Sequence, residues 1–235
     1  MNQRNTEEIV KTTEKRHILK EETKNKIKKT INFILKTFLI FFIGSIIGFF
    51  VEIVYGLITH KVLMIRKGLL YGPFIQVYGA GAVAYYILTS YVKETKKVFL
   101  VGMIMGGIIE YIFSFLQEII FGTISWDYSH MILNINGRTC VLYCIFWGIL
   151  GVVYLKAILP YIQKLDELIL NKGVKIITCI LLAFMIFDVT ISCMAGIRQN
   201  ERRKNIPPDN KLESFIDKKY PDEYMDKVYI NKKEV

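Results

Sequence analysis

Residues 98–121 read VFLVGMIMGGIIEYIFSFLQEIIF, twenty-four residues in which the charges are Glu110 and Glu118. An α-helix rises about 1.5 Å per residue, so roughly 20 apolar residues cross a hydrocarbon layer about 30 Å thick. The stretch lacks the alternation of a barrel strand, and lipid cannot satisfy an open backbone, so helix is the state it predicts. At about 100° per residue, Gly106, Glu110, Ser114, Gln117 and Glu118 fall in a stripe roughly 120° wide. Ile104, Ile108, Ile112, Phe115 and Ile119 fall opposite and suit lipid. A stripe of that length lines water or another polar helix.

Four further blocks of similar character flank this one: 33–58, 73–92, 139–160 and 174–197. Together the five hold about half of the 235 residues, which leaves no room for a soluble domain with its own core. The predicted fold is therefore all-α: an integral membrane helical bundle of about five transmembrane helices. Residues 1–32 form a charged N-terminal leader, 33–197 the transmembrane domain, and 198–235 a polar C-terminal tail. The first block starts too deep to be a secretory signal peptide. The leader reads as a solvated helix or a disordered segment.

Hydrophobic residues make up 52% of the chain, and the net charge of +10 lies almost wholly outside the blocks. Basic flanks are what a membrane protein needs, so the partner they imply is the lipid surface and no nucleic acid. Nine Lys/Arg precede Asn32, which predicts a cytoplasmic N-terminus. Alternation then puts loops 93–97 and 161–173 inside, and 59–72 and 122–138 outside. Arg198, Arg202, Arg203 and Lys204 resist the scheme, because an odd helix count sends them outside. Either the first helix dominates the topology, or one segment is re-entrant rather than spanning, with the Gly-Pro-rich entry to the second block and residues 119–137 as candidates. In the tail, Pro207-Pro208 breaks structure and residues 212–219 suit a short surface helix.

A charge in hydrocarbon costs roughly 2.5–3.5 kcal/mol on insertion scales, so each one asks for a reason. Gly44, Gly48, Glu52 and Gly56 recur every four residues, which makes the Glu52 face a packing face turned into the bundle. Asp188 lies in the fifth block with Ser192 one turn on. Two readings fit Glu52, Glu110, Ser114, Gln117, Glu118 and Asp188. They are hydrogen-bonded or protonated groups that hold helices together, or they line a pathway or pocket for a cation, a proton or a polar substrate. The glycine-rich faces favour the second for Glu52 and Glu110.

The connections hold the densest polar motifs. Arg66-Lys67-Gly68 leads to Leu70-Tyr71-Gly72-Pro73 and then to Tyr78-Gly79-Ala80-Gly81. Trp126-Asp127-Tyr128-Ser129 and Asn134-Ile135-Asn136-Gly137-Arg138 follow the third block. Arg138 is placed to pair with Asp127 or with Glu118, which would order the loop. No phosphate-binding loop, H-E-x-x-H or G-x-S-x-G motif occurs, and His17, His60 and His130 are scattered. We therefore expect no enzyme, no metal site and no cofactor. An intramembrane enzyme would have to rely on Asp127. Cys140, Cys144, Cys179 and Cys193 read as small packing residues.

Taken in order, these motifs resemble a bacterial family called putative ABC-transporter type IV. The resemblance rests on Glu52, on R-K-G-x-L-Y-G-P at 66–73 and on Y-G-x-G at 78–81. It continues with E-Y-x-x-S-x-x-x-E at 110–118, Phe121-Gly122, W-D-Y-S at 126–129 and N-x-N-G-R at 134–138. It covers about residues 41–160, and the tail around Tyr220-Pro221-Asp222-Glu223 is similar to the end of many members. Gln76 departs from the pattern, standing where many members have proline. The resemblance implies a multi-pass protein of the bacterial plasma membrane that acts as a permease component, with an ATPase on a separate subunit if ATP drives it. The polar stripe would line an interior site capped by the 126–138 loop. The alternative is a scaffold, sensor or assembly factor that transports nothing. Glycine-rich helix faces in so small a bundle also predict a homodimer.

Overall fold

The computed structural model describes residues 3–61, 63 and 65–235, with side chains from residue 19 onward except those at 60, 62 and 64. Five helices run up and down. α1 spans Gln3–His60, α2 Gln76–Tyr91, α3 Thr95–Phe121, α4 Val141–Leu168 and α5 Lys172–Arg203. Two short helices follow in the tail, α6 Lys211–Lys219 and α7 Asp222–Val228. Four of the five long elements, all but α2, are long and apolar enough to cross a membrane. The leader is continuous with the first span, and its backbone is helical from Gln3.

The expected loop at 161–173 is corrected to a three-residue connection. Pro160 does not end α4, because one π turn at Tyr154–Ile158 absorbs it and the helix runs on to Leu168. Proline removes one N–H and crowds the carbonyl four residues back, which the wider turn accommodates. Asn171 then caps α5, its side chain accepting from the backbone N–H groups of Gly173 and Val174.

The second block behaves differently from the rest. α2 has 16 residues, or about 24 Å of helix, which is short of a hydrocarbon layer. Its entry starts far down α1: the Ile75 N–H donates to the Ser45 carbonyl at 3.1 Å, in the middle of the first apolar block. The described residues of 61–75 thus turn back from the end of α1 into the bundle, and none of them is helical. Gly72 makes the bend at φ +77°, and Leu69, Leu70 and Phe74 are buried. The Gly-Pro-rich entry is re-entrant in that it folds back into the bundle before α2 carries the chain on towards the Lys36 end, whereas residues 119–137 end α3 and join it to α4.

Close helix approach rests on glycine. A Cβ on Gly106 of α3 would lie 2.1 Å from Trp147 of α4, and one on Gly48 of α1 would lie 2.4 Å from the Tyr78 ring of α2. Trp147, Tyr85, Tyr154, Ile40 and Val77 form the main apolar core, and the Tyr85 hydroxyl donates to the Trp147 carbonyl. Ile104, Ile108, Ile112, Phe115 and Ile119 are exposed along one face of α3, as a lipid-facing stripe requires.

The tail folds onto the end of the bundle that holds the α3–α4 connection. Lys233–Glu234 pairs antiparallel with Thr123–Ile124, and Ile216, Tyr220 and Met225 pack on Leu70 and Ala195. The short surface helix expected at 212–219 forms over residues 211–219 and docks through its buried Ile216, with Leu212 and Phe215 exposed. The arginines that follow the fifth block are paired: Arg198 and Arg202 with Asp217, Arg202 also with Asp222, and Arg203 with Glu234. These pairs hold Asp217, outside the membrane-spanning segments, below the usual carboxylate range. At the other end of the bundle, Lys36 of α1 is buried against the Tyr86 ring and reaches Asp166 at 2.6 Å.

Candidate functional site

The α3 stripe carries the centre of the site. Glu110 is 7% exposed, and the Tyr128 hydroxyl donates to its Oε1 at 3.1 Å while the Thr139 hydroxyl donates to its Oε2 at 3.0 Å. Both donors come from the α3–α4 connection, so the loop after the helix supplies the partners of the acid on it. No Lys or Arg forms a salt bridge with Glu110 among the described residues.

Glu52 of α1 is half-buried. It accepts from Arg66 Nη1 at 3.1 Å and from the Tyr78 hydroxyl at 2.8 Å. The Tyr78 ring lies 5.7 Å from Trp147, and Tyr128 stacks on Tyr143 at 4.3 Å. Tyr143 and Tyr55 share a hydroxyl hydrogen bond of 2.5 Å. Glu52, Glu110, Tyr55, Tyr78, Tyr128 and Tyr143 thus form one polar, aromatic cluster between α1, α2, α3 and α4. Phenol hydroxyls that donate to a carboxylate stabilise its ionised form, and carboxylate oxygens and aromatic faces are both means of holding positive charge.

Above this cluster the stripe is tied to the loop. Arg138 Nη2 lies 2.6 Å from Glu118 and its Nη1 3.5 Å from the Ser114 hydroxyl, with the guanidinium over the Tyr111 and Phe115 rings. Of the two pairings open to Arg138, the structure makes the one with Glu118. Gln117 donates to Thr123 at 3.4 Å. Trp126 Nε1 donates to the Arg138 carbonyl at 2.8 Å, and Asn136 to the Tyr111 hydroxyl at 3.0 Å. Asn136 and Gly137 both have positive φ and form a tight turn in which the Arg138 N–H returns to the Ile135 carbonyl. Asp127 faces solvent and accepts from the backbone and hydroxyl of Ser129 at 2.9 and 2.5 Å, which hold its carboxyl below the usual range. It is a turn-former, far from the orientation of an intramembrane base.

The remaining motif residues serve the re-entrant segment. The Gly68 N–H reaches the Phe74 carbonyl at 2.9 Å, and a Cβ on Gly68 would collide with Gln76, the residue that departs from the expected proline. Gly79 leaves room for Ser45 and Phe41, and Pro73 follows the Gly72 bend. Asp188 sits apart from Glu52 and Glu110: its Oδ1 accepts from the Tyr71 N–H at 3.0 Å, and Ser192 accepts from the Leu70 N–H at 2.9 Å. These two side chains satisfy irregular backbone at membrane depth, where water cannot.

A family model described as putative ABC-transporter type IV matches residues 39–193, which takes in every carboxylate of the bundle named above. The chain belongs to that family. The match extends past the motifs into α5, ends there at Cys193, and stops before the docked tail. Neither the curated proteins nor the solved structures contain a match to the chain.

Sequence reasoning missed Tyr55, Tyr143 and Thr139, the hydroxyls that complete the cluster. Tyr143 and Thr139 carry a weak signal, since Thr139 directly follows the N-x-N-G-R motif and Tyr143 lies five residues beyond it. It also missed the Lys36–Asp166 pair, whose members are 130 residues apart.

Proposed function

We propose that this protein is the membrane-embedded component of a transport-type system, with Glu110 and Glu52 as the carboxylates of an interior site for a cation or cationic solute. The observation that carries the reading is the partner set of Glu110. Glu52 and Glu118 each face an arginine, whereas buried Glu110 is held by neutral donors, the Tyr128 and Thr139 hydroxyls with the Trp147 indole beside them, and by no salt bridge among the described residues. An intramembrane acid without a protein cation is suited to exchange a proton or an external cation. The α3–α4 connection covers the site, and the docked tail strengthens that cover.

In this reading the protein lies in the bacterial plasma membrane with a cytoplasmic leader, and the tail and the α3–α4 connection share the opposite face. If ATP supplies the energy, the ATPase is a separate subunit. The connections at residues 92–94 and 169–171 are too short to seat it, so the leader helix of α1 is the dock.

The test is reconstitution into liposomes with an imposed gradient of protons, alkali cations or small organic cations. Wild type is expected to dissipate at least one of them, and Glu110→Gln to block that flux while still folding. Equal fluxes in both proteins would refute the assignment.

A scaffold that transports nothing is the second reading, and one observation favours it. Ser114, Gln117 and Glu118 each have a protein partner. It predicts that Glu110→Gln changes stability by about 1–2 kcal/mol at most and function not at all.

A further inference from the structure

One buried acid remains outside the cluster. Asp188 of α5 is fully buried. Its Oδ1 is engaged twice, by the Tyr71 N–H at 3.0 Å and by the Ser192 hydroxyl at 3.2 Å, and Ser192 in turn accepts from the Leu70 N–H. Its Oδ2 has no hydrogen-bond partner among the described residues, nor does any salt bridge reach it. The groups within its field are Lys67 on the re-entrant segment and the Tyr220 and Tyr229 phenols of the tail. Tyr220 is itself bonded to the Tyr71 hydroxyl at 2.6 Å.

The two oxygens therefore have different tasks. Oδ1 must accept, because the Tyr71 N–H lies at membrane depth in a segment without helix and has no water to turn to. A bare, ionised Oδ2 in the same dry place has no hydrogen bond or salt bridge to offset its charge, only the field of Lys67. A proton on Oδ2 removes the charge and leaves Oδ1 free to accept as before.

We propose that Asp188 Oδ2 is a proton-binding site of the membrane interior. The proton comes from water at the tail end of the bundle and returns there, forming and breaking one O–H bond with no other change in bonding. In the neutral form the carboxyl latches Leu70–Tyr71 into the bundle. On ionisation the charge turns to Lys67, the nearby cation of the same segment. That segment also carries Arg66, the partner of Glu52, so proton exchange at Asp188 moves a residue of the carboxylate cluster. The site stands independently of any transport by Glu110.

Infrared spectra of the full-length protein in lipid nanodiscs, recorded across pH with ¹³C-carboxyl aspartate, test this. The expected result is a protonated-carboxyl stretch at neutral pH that shifts with the label, persists in Glu110→Gln and vanishes in Asp188→Asn. If Asp188→Asn does not fold, the label in wild type still decides. The other aspartates within the described residues are Asp127, Asp166, Asp209, Asp217, Asp222 and Asp226, which lie outside the apolar blocks in solvent-facing or paired positions. A labelled aspartate signal that is ionised at every pH of the folded protein would overturn the proposal. So would a carboxylate band that changes when sodium and potassium are replaced by choline, since that would make the ligand a metal cation.

Discussion

Arg138 Nη2 lies 2.6 Å from Glu118, so the connection that leaves α3 is tied back onto the last turns of the same helix. That tie positions Tyr128 and Thr139 over Glu110, and it makes the loop a structural part of the carboxylate site.

Arg138→Ala removes the ion pair, the Ser114 contact and the guanidinium packing on Tyr111 and Phe115. Hydrogen bonds to charged groups are each worth about 1.5–3 kcal/mol, so a loss of that order is expected in thermal or denaturant unfolding. Arg138→Ala combined with Glu118→Gln should cost less than the two single losses added, because the orphaned charge is gone. Strict additivity would show that the pair contributes nothing.

Gly106→Ala places a methyl against Trp147. Overpacking of this kind costs about 1–3 kcal/mol, and here α3 must move away from α4. Gly173→Ala, at the start of α5, is the contrasting control because its Cβ meets only the Asn171 side chain at 3.2 Å. Equal melting temperatures for the two variants would argue against the close α3–α4 approach.

Acid should release the tail. Arg198 and then burial act on Asp217 in opposite senses, and the arginine bonds win, leaving its carboxyl below the ordinary value. A depressed carboxyl contributes stability that is fully present above its unfolded value, near 3.9, and is lost as pH falls through the folded one. Hydrogen exchange of residues 211–228 should therefore stay slow at neutral pH and rise steeply on acidification below about 4. Exchange that is fast and independent of pH would mean that the tail is not held by these pairs.

In the proposed topology all five helices cross, so the leader and the tail emerge on opposite faces. Single cysteines at Lys24 and at Lys218, in a background without Cys140, Cys144, Cys179 and Cys193, should react with a membrane-impermeant reagent from opposite sides of sealed vesicles. Labelling of both from one side would remove one crossing, and α2 is the element that would have to go.

The fold was readable where one helix face carries the information. The α3 stripe is periodic, so its glycines, Glu110, Ser114 and Glu118 announced both the buried face and the lipid face. The Gly-Pro bend at Gly72-Pro73 likewise signalled re-entry. What remained hidden depends on residues distant in sequence. Nothing local to Asp188 says that it will hold the Tyr71 backbone, and nothing in Lys233-Glu234 says that it will pair with Thr123-Ile124. The arginines at 198–203 looked like a topogenic signal because their acidic partners lie in a tail of ordinary composition. The length of α4 is hidden in the sequence because a proline normally ends a helix and a π turn leaves no local signature.

The central claim is that Glu110 binds a cation from outside the protein. The most direct measurement is the melting temperature of the purified protein in lipid nanodiscs against a panel of alkali, ammonium and small organic cations, for wild type and Glu110→Gln. A ligand at 100 times its Kd stabilises the folded state by about 2.7 kcal/mol. The account predicts that at least one cation raises the wild-type melting temperature in a saturable way and leaves Glu110→Gln unmoved. Parallel curves for the two proteins across the whole panel would contradict it and leave Glu110 as a group that holds helices together.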